Sequence, residues 1–189
     1  MSASFLFLEI TDVEIANLLS SLRETFTGKK SNNIHLTVRG PYKKTITSDD
    51  VNKWYKKISD NDLLIHKVGK FSNDGFHVVY LSVECEGLKS IWDKPDYPVD
   101  KYGFNPHISI YVGEDKKISD CCYEFLKNEQ IALLCRSFKL SPYISKQADM
   151  FPGDTISKGH HFLELSNKRL VKADVLQRAY NVMKACSGK

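Results

Sequence analysis

The 189-residue sequence has no hydrophobic run approaching membrane length, and its opening, Met1-Ser-Ala-Ser-Phe-Leu-Phe-Leu-Glu9, lacks the basic segment of a secretory leader. Neither a signal peptide nor a membrane anchor is expected. Asn-x-Ser/Thr sequons are missing, as are Cys-x-x-Cys, His-Glu-x-x-His and Gly-x-x-x-x-Gly-Lys-Ser/Thr patterns, so no recognisable zinc site or phosphate loop is written in the chain. Gly153 to Lys158 has a glycine and a lysine but not the second glycine or the hydroxyl, and the adjacent His160 and His161 would face opposite sides of a strand. No cofactor and no metal is expected. Cysteine is sparse: five residues, an odd number, widely scattered apart from the vicinal pair Cys121-Cys122, which reads as reduced thiols in a cytoplasmic protein. Charge of one sign is not in large excess either. Lys plus Arg total 27 against 23 Asp plus Glu, a formal +4 that permits an anionic ligand without the broad cationic face of a duplex-binding protein. With 10 glycines, 6 prolines, 42% hydrophobic and 26% charged residues, disordered, collagenous and coiled-coil chains are excluded. One domain over 1–189 is expected, with no obligate protein partner and no membrane contact.

What is present alternates between strand and helix patterns. Residues 4–10 are short and apolar, and Thr11-Asp12-Val13-Glu14 then opens a helix carrying Ile15, Leu18, Leu19 and Leu22 on one stripe. Ile34 to Arg39 alternates and stops at Gly40-Pro41, before a helix that starts at Ser48 and carries Val51, Trp54, Tyr55 and Ile58. Strands at 63–71 and 76–84 flank Ser72-Asn73-Asp74-Gly75, where Asp-Gly favours a hairpin. A short helical stretch near 87–93 and a loop through Asn105 lead into an alternating strand at 106–112. A helix at 118–128, strands near 131–140 and 160–165 and a closing helix at 168–186 complete the chain, with a loop over 141–159. The pattern is α+β with antiparallel pairing.

Two segments share one plan: Ile34-His35-Leu36-Thr37-Val38-Arg39 and Pro106-His107-Ile108-Ser109-Ile110-Tyr111. In a strand, residues i and i+2 share a face, so His35 with Thr37, and His107 with Ser109, oppose a greasy face made by Leu36 and Val38 or by Ile108 and Ile110. Continued alternation would put Arg39 and Tyr111 on the polar faces as well. With six histidines, chance alone supplies about one His-x-Ser/Thr match. The signal lies in both matches sitting on strands of the same alternation, 72 residues apart, as an internal duplication would leave them.

These two tetrads, with Val-Arg-Gly-Pro after the first and proline before the second, resemble the paired H-x-T/S signatures of the 2H phosphoesterase superfamily. That superfamily includes the RNA 2′,3′-cyclic phosphodiesterases once called 2′-5′ RNA ligases. The resemblance covers most of the chain and implies two pseudosymmetric lobes, each an antiparallel sheet with flanking helices, around a cleft that bears both motifs. It also implies a phosphodiesterase acting on a 2′,3′-cyclic phosphate or a 2′-5′ linkage of a nucleotide or RNA end. Imidazoles with pKa values near 6.5 suit both proton transfers of in-line hydrolysis. His107 is assigned to activate the nucleophile and His35 to protonate the leaving oxygen, roles that exchange with the direction of attack. Thr37 and Ser109 would donate to the non-bridging phosphate oxygens, without a metal.

Arg39, Tyr42 and Tyr111 are candidate substrate contacts, with Lys43, Phe104, Tyr143 and Lys146 as further basic or stacking groups. Trp54 and Tyr55 read as packing residues, and His66 and His77 as surface or strand-edge residues. The alternative is a nucleotide- or RNA-binding module of the same fold without turnover. An end-joining activity finds no nucleotide-activating lysine motif here, and a generic α/β protein with accidental tetrads is the remaining possibility.

Overall fold

The computed structural model describes residues 3–30, 33–73, 75–92, 103–145 and 174–188. The strand expected at 160–165, the start of the helix expected from 168, Lys146, His160 and His161 all lie outside those residues. Among the described residues the order is β1 (Ala3–Ile10), α1 (Val13–Thr27), β2 (His35–Tyr42), α2 (Ser48–Tyr55), β3 (Leu63–Asn73), β4 (Phe76–Glu84), α3 (Leu88–Ile91), β5 (His107–Gly113), α4 (Lys116–Glu129), β6 (Leu133–Cys135), β7 (Phe138–Ser145) and α5 (Val175–Ser187). The fold is α+β, with two antiparallel sheets and five helices. No helix among the described residues is long and apolar enough to cross a membrane.

Helix ends follow the local chemistry. The Asp12 carboxylate accepts from the Ile15 amide at 3.2 Å to start α1, and the Asp115 carboxylate accepts from the Ile118 amide at 3.0 Å to start α4. Thr47 and Asp50 form a reciprocal capping box at α2. Gly28 closes α1 in the left-handed region.

One sheet runs β2-β1-β7 and the other β5-β4-β3-β6. β6 and β7 are nearly contiguous in sequence yet belong to different sheets, so Arg136 and Ser137 carry the chain from one to the other. The Ser137 carbonyl fastens that crossing by accepting from the Thr11 and Asp12 amides at 2.9 and 3.0 Å. Leu6, Leu8, Leu36 and Val38 from the first sheet and Leu63, Ile65, Leu81 and Ile108 from the second are all buried in one contiguous core with Leu19, Leu22 and Phe26 of α1. The alternation in the sequence is therefore one of burial: the apolar set turns inward and leaves the other face of each sheet half-open.

Three expectations are corrected by the structure. β7 extends to Ser145, because its residues find a full-length partner in β1, so 141–145 is strand and not loop. β2 runs through Gly40-Pro41 to Tyr42, since irregular pairing with β1 accommodates the proline. Cys121 is bonded to Cys186, joining α4 to α5 with their Cα atoms 6.7 Å apart, while Cys85, Cys122 and Cys135 are free thiols. The vicinal neighbours never pair with each other: on one helix Cys122 faces the core and Cys121 faces α5.

Gly40 is a position where only glycine fits. Its φ is +106°, and a Cβ there would stand 2.6 Å from the Ser4 carbonyl oxygen of the neighbouring strand. Gly40→Ala is expected to destabilise the protein by about 2–3 kcal/mol, from backbone strain plus displacement of β1. Urea unfolding of the two proteins measures this, and a midpoint unchanged by the substitution contradicts it.

Candidate functional site

The two motif strands occupy corresponding places. β2 is an edge strand of its sheet, β5 is an edge strand of the other, and the two strands contact each other while α1 packs along β5. His35 and Thr37, and His107 and Ser109, stand on the half-open faces, opposite the buried Leu36 and Ile108.

The match extends to the neighbouring strands. The residue directly across from each hydroxyl is aromatic: Phe7 faces Thr37 and Tyr80 faces Ser109. Each ring leans diagonally onto the histidine, Phe7 stacked on His35 at 4.3 Å between centroids and Tyr80 tilted against His107 at 4.7 Å. Tyr143 stacks on the far side of Phe7 at 5.2 Å, and Phe71 meets His107 edge-on at 5.9 Å. Gly69 makes room for this arrangement, since any Cβ there would overlap the Tyr80 ring.

Each histidine is also oriented by the backbone in the same way. Nδ1 of His35 lies 3.3 Å from the Asn33 carbonyl, and Nδ1 of His107 lies 2.7 Å from the Asn105 carbonyl, two residues back in both cases. A carbonyl can only accept, so Nδ1 carries the hydrogen and Nε2 is the basic atom of the neutral ring. Burial pushes both histidines below the ordinary 6.5, and the Arg23 charge pushes His35 further down, while the Asn33 and Asn105 carbonyls and Glu9 oppose the shift in part. Among the described residues no three His, Cys, Asp or Glu side chains gather to hold a metal ion.

Two of the three outer candidates, Arg39 and Tyr111, are corrected by one geometric device, and Tyr42 by the continuation of β2 past Pro41. In β2 the partner of Phe7 is Thr37 but the partner of Leu6 is Arg39, so Val38 is an extra residue; in β5 Tyr80 pairs with Ser109 and Val79 with Tyr111, so Ile110 is extra. A bulge reverses the side-chain alternation beyond it. Tyr111 accordingly turns into the core, 4% exposed, and its hydroxyl donates to the Asp115 carbonyl at 3.0 Å. Arg39 turns the same way: it donates to the Ile91 carbonyl and lies 4.2 Å over the Trp54 ring. Tyr42, 9% exposed, packs in the core opposite Ser4 and beneath the Arg39 guanidinium. None of these three shares the histidine faces.

Of the remaining candidates, Tyr143 does join the His35 face, Lys43 is exposed in the turn after β2, and Phe104 is half-buried edge-on to Trp92. Trp54 packs against the core, as expected of it, and Tyr55 is exposed. His66 is more than a surface residue. It pairs across β4 Ser82 in the same row as His107, and its Nε2 lies 2.8 Å from Glu84 Oε1. His77 is held by the Ser72 hydroxyl at 2.7 Å.

Sequence reasoning missed Phe7, Tyr80, Phe71 and Arg23. Tyr80 stands beside a motif only because β4 pairs with β5 as well as with its hairpin partner β3, which no local pattern specifies, and Phe7 is hidden because residues 5–8 are apolar on both faces. A separate groove of about 600 Å³ lies between α4 and α5, with Phe125, Glu129, Arg178 and Val182 in its wall and no motif residue. A scan against known protein families finds no match for this chain, and no curated protein matches it.

Depressed native pKa values at both histidines fix the sign of a pH effect. As pH falls below 6.5 the unfolded chain takes up these protons before the native state does, so stability falls with pH until each native midpoint is passed. Unfolding free energy is therefore expected to drop between pH 7 and the native midpoints, and the paired change His35→Gln with His107→Gln should flatten that slope. An unchanged slope in the double variant, by urea titration at several pH values, contradicts it.

Proposed function

We propose that the chain is a phosphodiesterase of the 2H type, hydrolysing a 2′,3′-cyclic phosphate or a 2′-5′ linkage of a nucleotide or RNA end. The single observation that carries this reading is the duplicated local geometry: edge-strand histidine, backbone carbonyl on Nδ1, hydroxyl two residues on, aromatic ring opposite the hydroxyl, and a bulge immediately after. A core strand has no need of this set even once. Its repetition on two strands that contact one another argues for two pseudosymmetric lobes whose half-open faces make one cleft.

In that cleft the reaction needs only groups of this chain. A water oxygen attacks phosphorus as its proton passes to a neutral imidazole Nε2; the P–O bond opposite breaks, and the departing oxygen takes a proton from the other, cationic imidazole. Thr37 and Ser109 hold the non-bridging oxygens through hydroxyl hydrogen bonds that strengthen as charge builds in the transition state. Phe7, stacked on His35, and Tyr80, tilted against His107, give each imidazole an apolar wall. Burial disfavours the charged form of both rings, so a neutral base is on hand at pH 7. The weak net charge suits a small anionic group better than a long duplex.

The test is hydrolysis of 2′,3′-cyclic nucleotides, 3′,5′-cyclic nucleotides and 2′-5′ dinucleotides in EDTA. Turnover of the first or third class is expected to resist EDTA and to fall about 10²–10⁴-fold in His35→Ala and in His107→Ala, with about 10²-fold losses for Thr37→Ala or Ser109→Ala. Binding of these ligands without turnover would place the chain among binding modules instead. If the folded wild-type protein neither binds nor turns over any of these ligands, the proposal fails.

A further inference from the structure

Arg23 lies in the last half of α1, half-buried, and its guanidinium reaches across to the second motif. Nη2 donates to the Ser109 carbonyl at 2.7 Å and Nε to the same oxygen at 3.1 Å. That carbonyl belongs to an edge strand and sits immediately before the bulge at Ile110, where ladder pairing is interrupted. An edge carbonyl at such a point needs a donor from outside the sheet, and a neutral side chain would suffice. A cation is used instead, in a fork that fixes direction as well as distance.

α1 packs along β5, so the fork ties the strand that carries His107 and Ser109 to the helix beside it. On its other side His107 is held by the Tyr80 and Phe71 rings.

We propose that Arg23 is a positioning residue of the site: it clamps motif strand β5 to α1 at Ser109 and so fixes where His107 and Ser109 stand. The kinetic consequence rests on the phosphodiesterase reading above, whereas the effect on the ordering of β5 does not. A clamp that holds β5 in place acts on the geometry of reaction more than on ground-state affinity, so its loss lowers kcat with little change in KM.

The experiment is amide hydrogen exchange along β5 in wild type, Arg23→Lys and Arg23→Met, with turnover of the preferred phosphodiester run in parallel. Arg23→Lys keeps the charge but not the fork, so in both variants exchange of the β5 amides is expected to quicken about tenfold or more, while kcat falls about tenfold or more at nearly constant KM. Unchanged β5 exchange in folded Arg23→Met, or wild-type kcat in Arg23→Lys, overturns the clamp. Should Arg23→Met fail to fold, Arg23→Lys and Arg23→Gln decide on the same criteria. If wild type turns over nothing, the phosphodiesterase reading fails, and exchange along β5 still decides the clamp.

Discussion

The site depends on where two strands stop alternating. A regular strand holds residues i, i+2 and i+4 on one face for as long as it runs, so a motif at i and i+2 would drag the side chain at i+4 onto the same face. One extra residue, Val38 in β2 and Ile110 in β5, ends that obligation after the hydroxyl. The next side chains turn inward and give support: Arg39 lies on Trp54 and is bonded to the Ile91 carbonyl, and Tyr111 is bonded to the Asp115 carbonyl at the cap of α4. The same irregularity that limits each half-site to two polar side chains also anchors it to the helix next door. A bulge is a local cost in ladder hydrogen bonds, and in this fold both are offset by side chains that would otherwise project into solvent.

Electrostatics and packing act on the histidines in opposite directions. Partial burial against Phe7 and Tyr80 removes water from each ring and disfavours its charged form, while a carbonyl on Nδ1 stabilises that form and settles the tautomer. Burial wins in both places. The result is a pair of imidazoles, each held by a carbonyl on Nδ1 and an aromatic ring at its side, with the charged form disfavoured in both.

Much of this was legible in the sequence, and the limits have physical causes. The periodicities of α1, α4 and the hairpin reflect one-sided burial and could be read directly; so could the faces of His35, Thr37, His107 and Ser109, because Leu36, Val38, Ile108 and Ile110 mark the other side. Extrapolating those faces to Arg39 and Tyr111 failed because a bulge is a property of strand pairing and leaves no mark on a single strand. Tyr42 was misplaced because a proline was read as the end of β2, whereas an edge strand tolerates it. Phe7 and Arg23 belong to the site only through register and tertiary docking, and no local pattern carries either. The Cys121–Cys186 bond is likewise a product of α4 packing on α5, 65 residues away.

The crossing at Arg136 and Ser137 has a consequence for how the protein is made. Among the described residues the second sheet draws on residues 63–135, and its β3, β4 and β5 follow one another in the chain, so their pairings close before β7 is made. The first sheet cannot be completed so early. Its central strand, β1, is synthesised before β7, which reaches it only after some 130 further residues, and until then β1 has an open edge beside Phe5, Phe7 and Leu8. The half of the site that bears His35 is therefore the later-completed half, and the motif nearer the start of the chain waits on a strand from beyond the other motif for its finished shape.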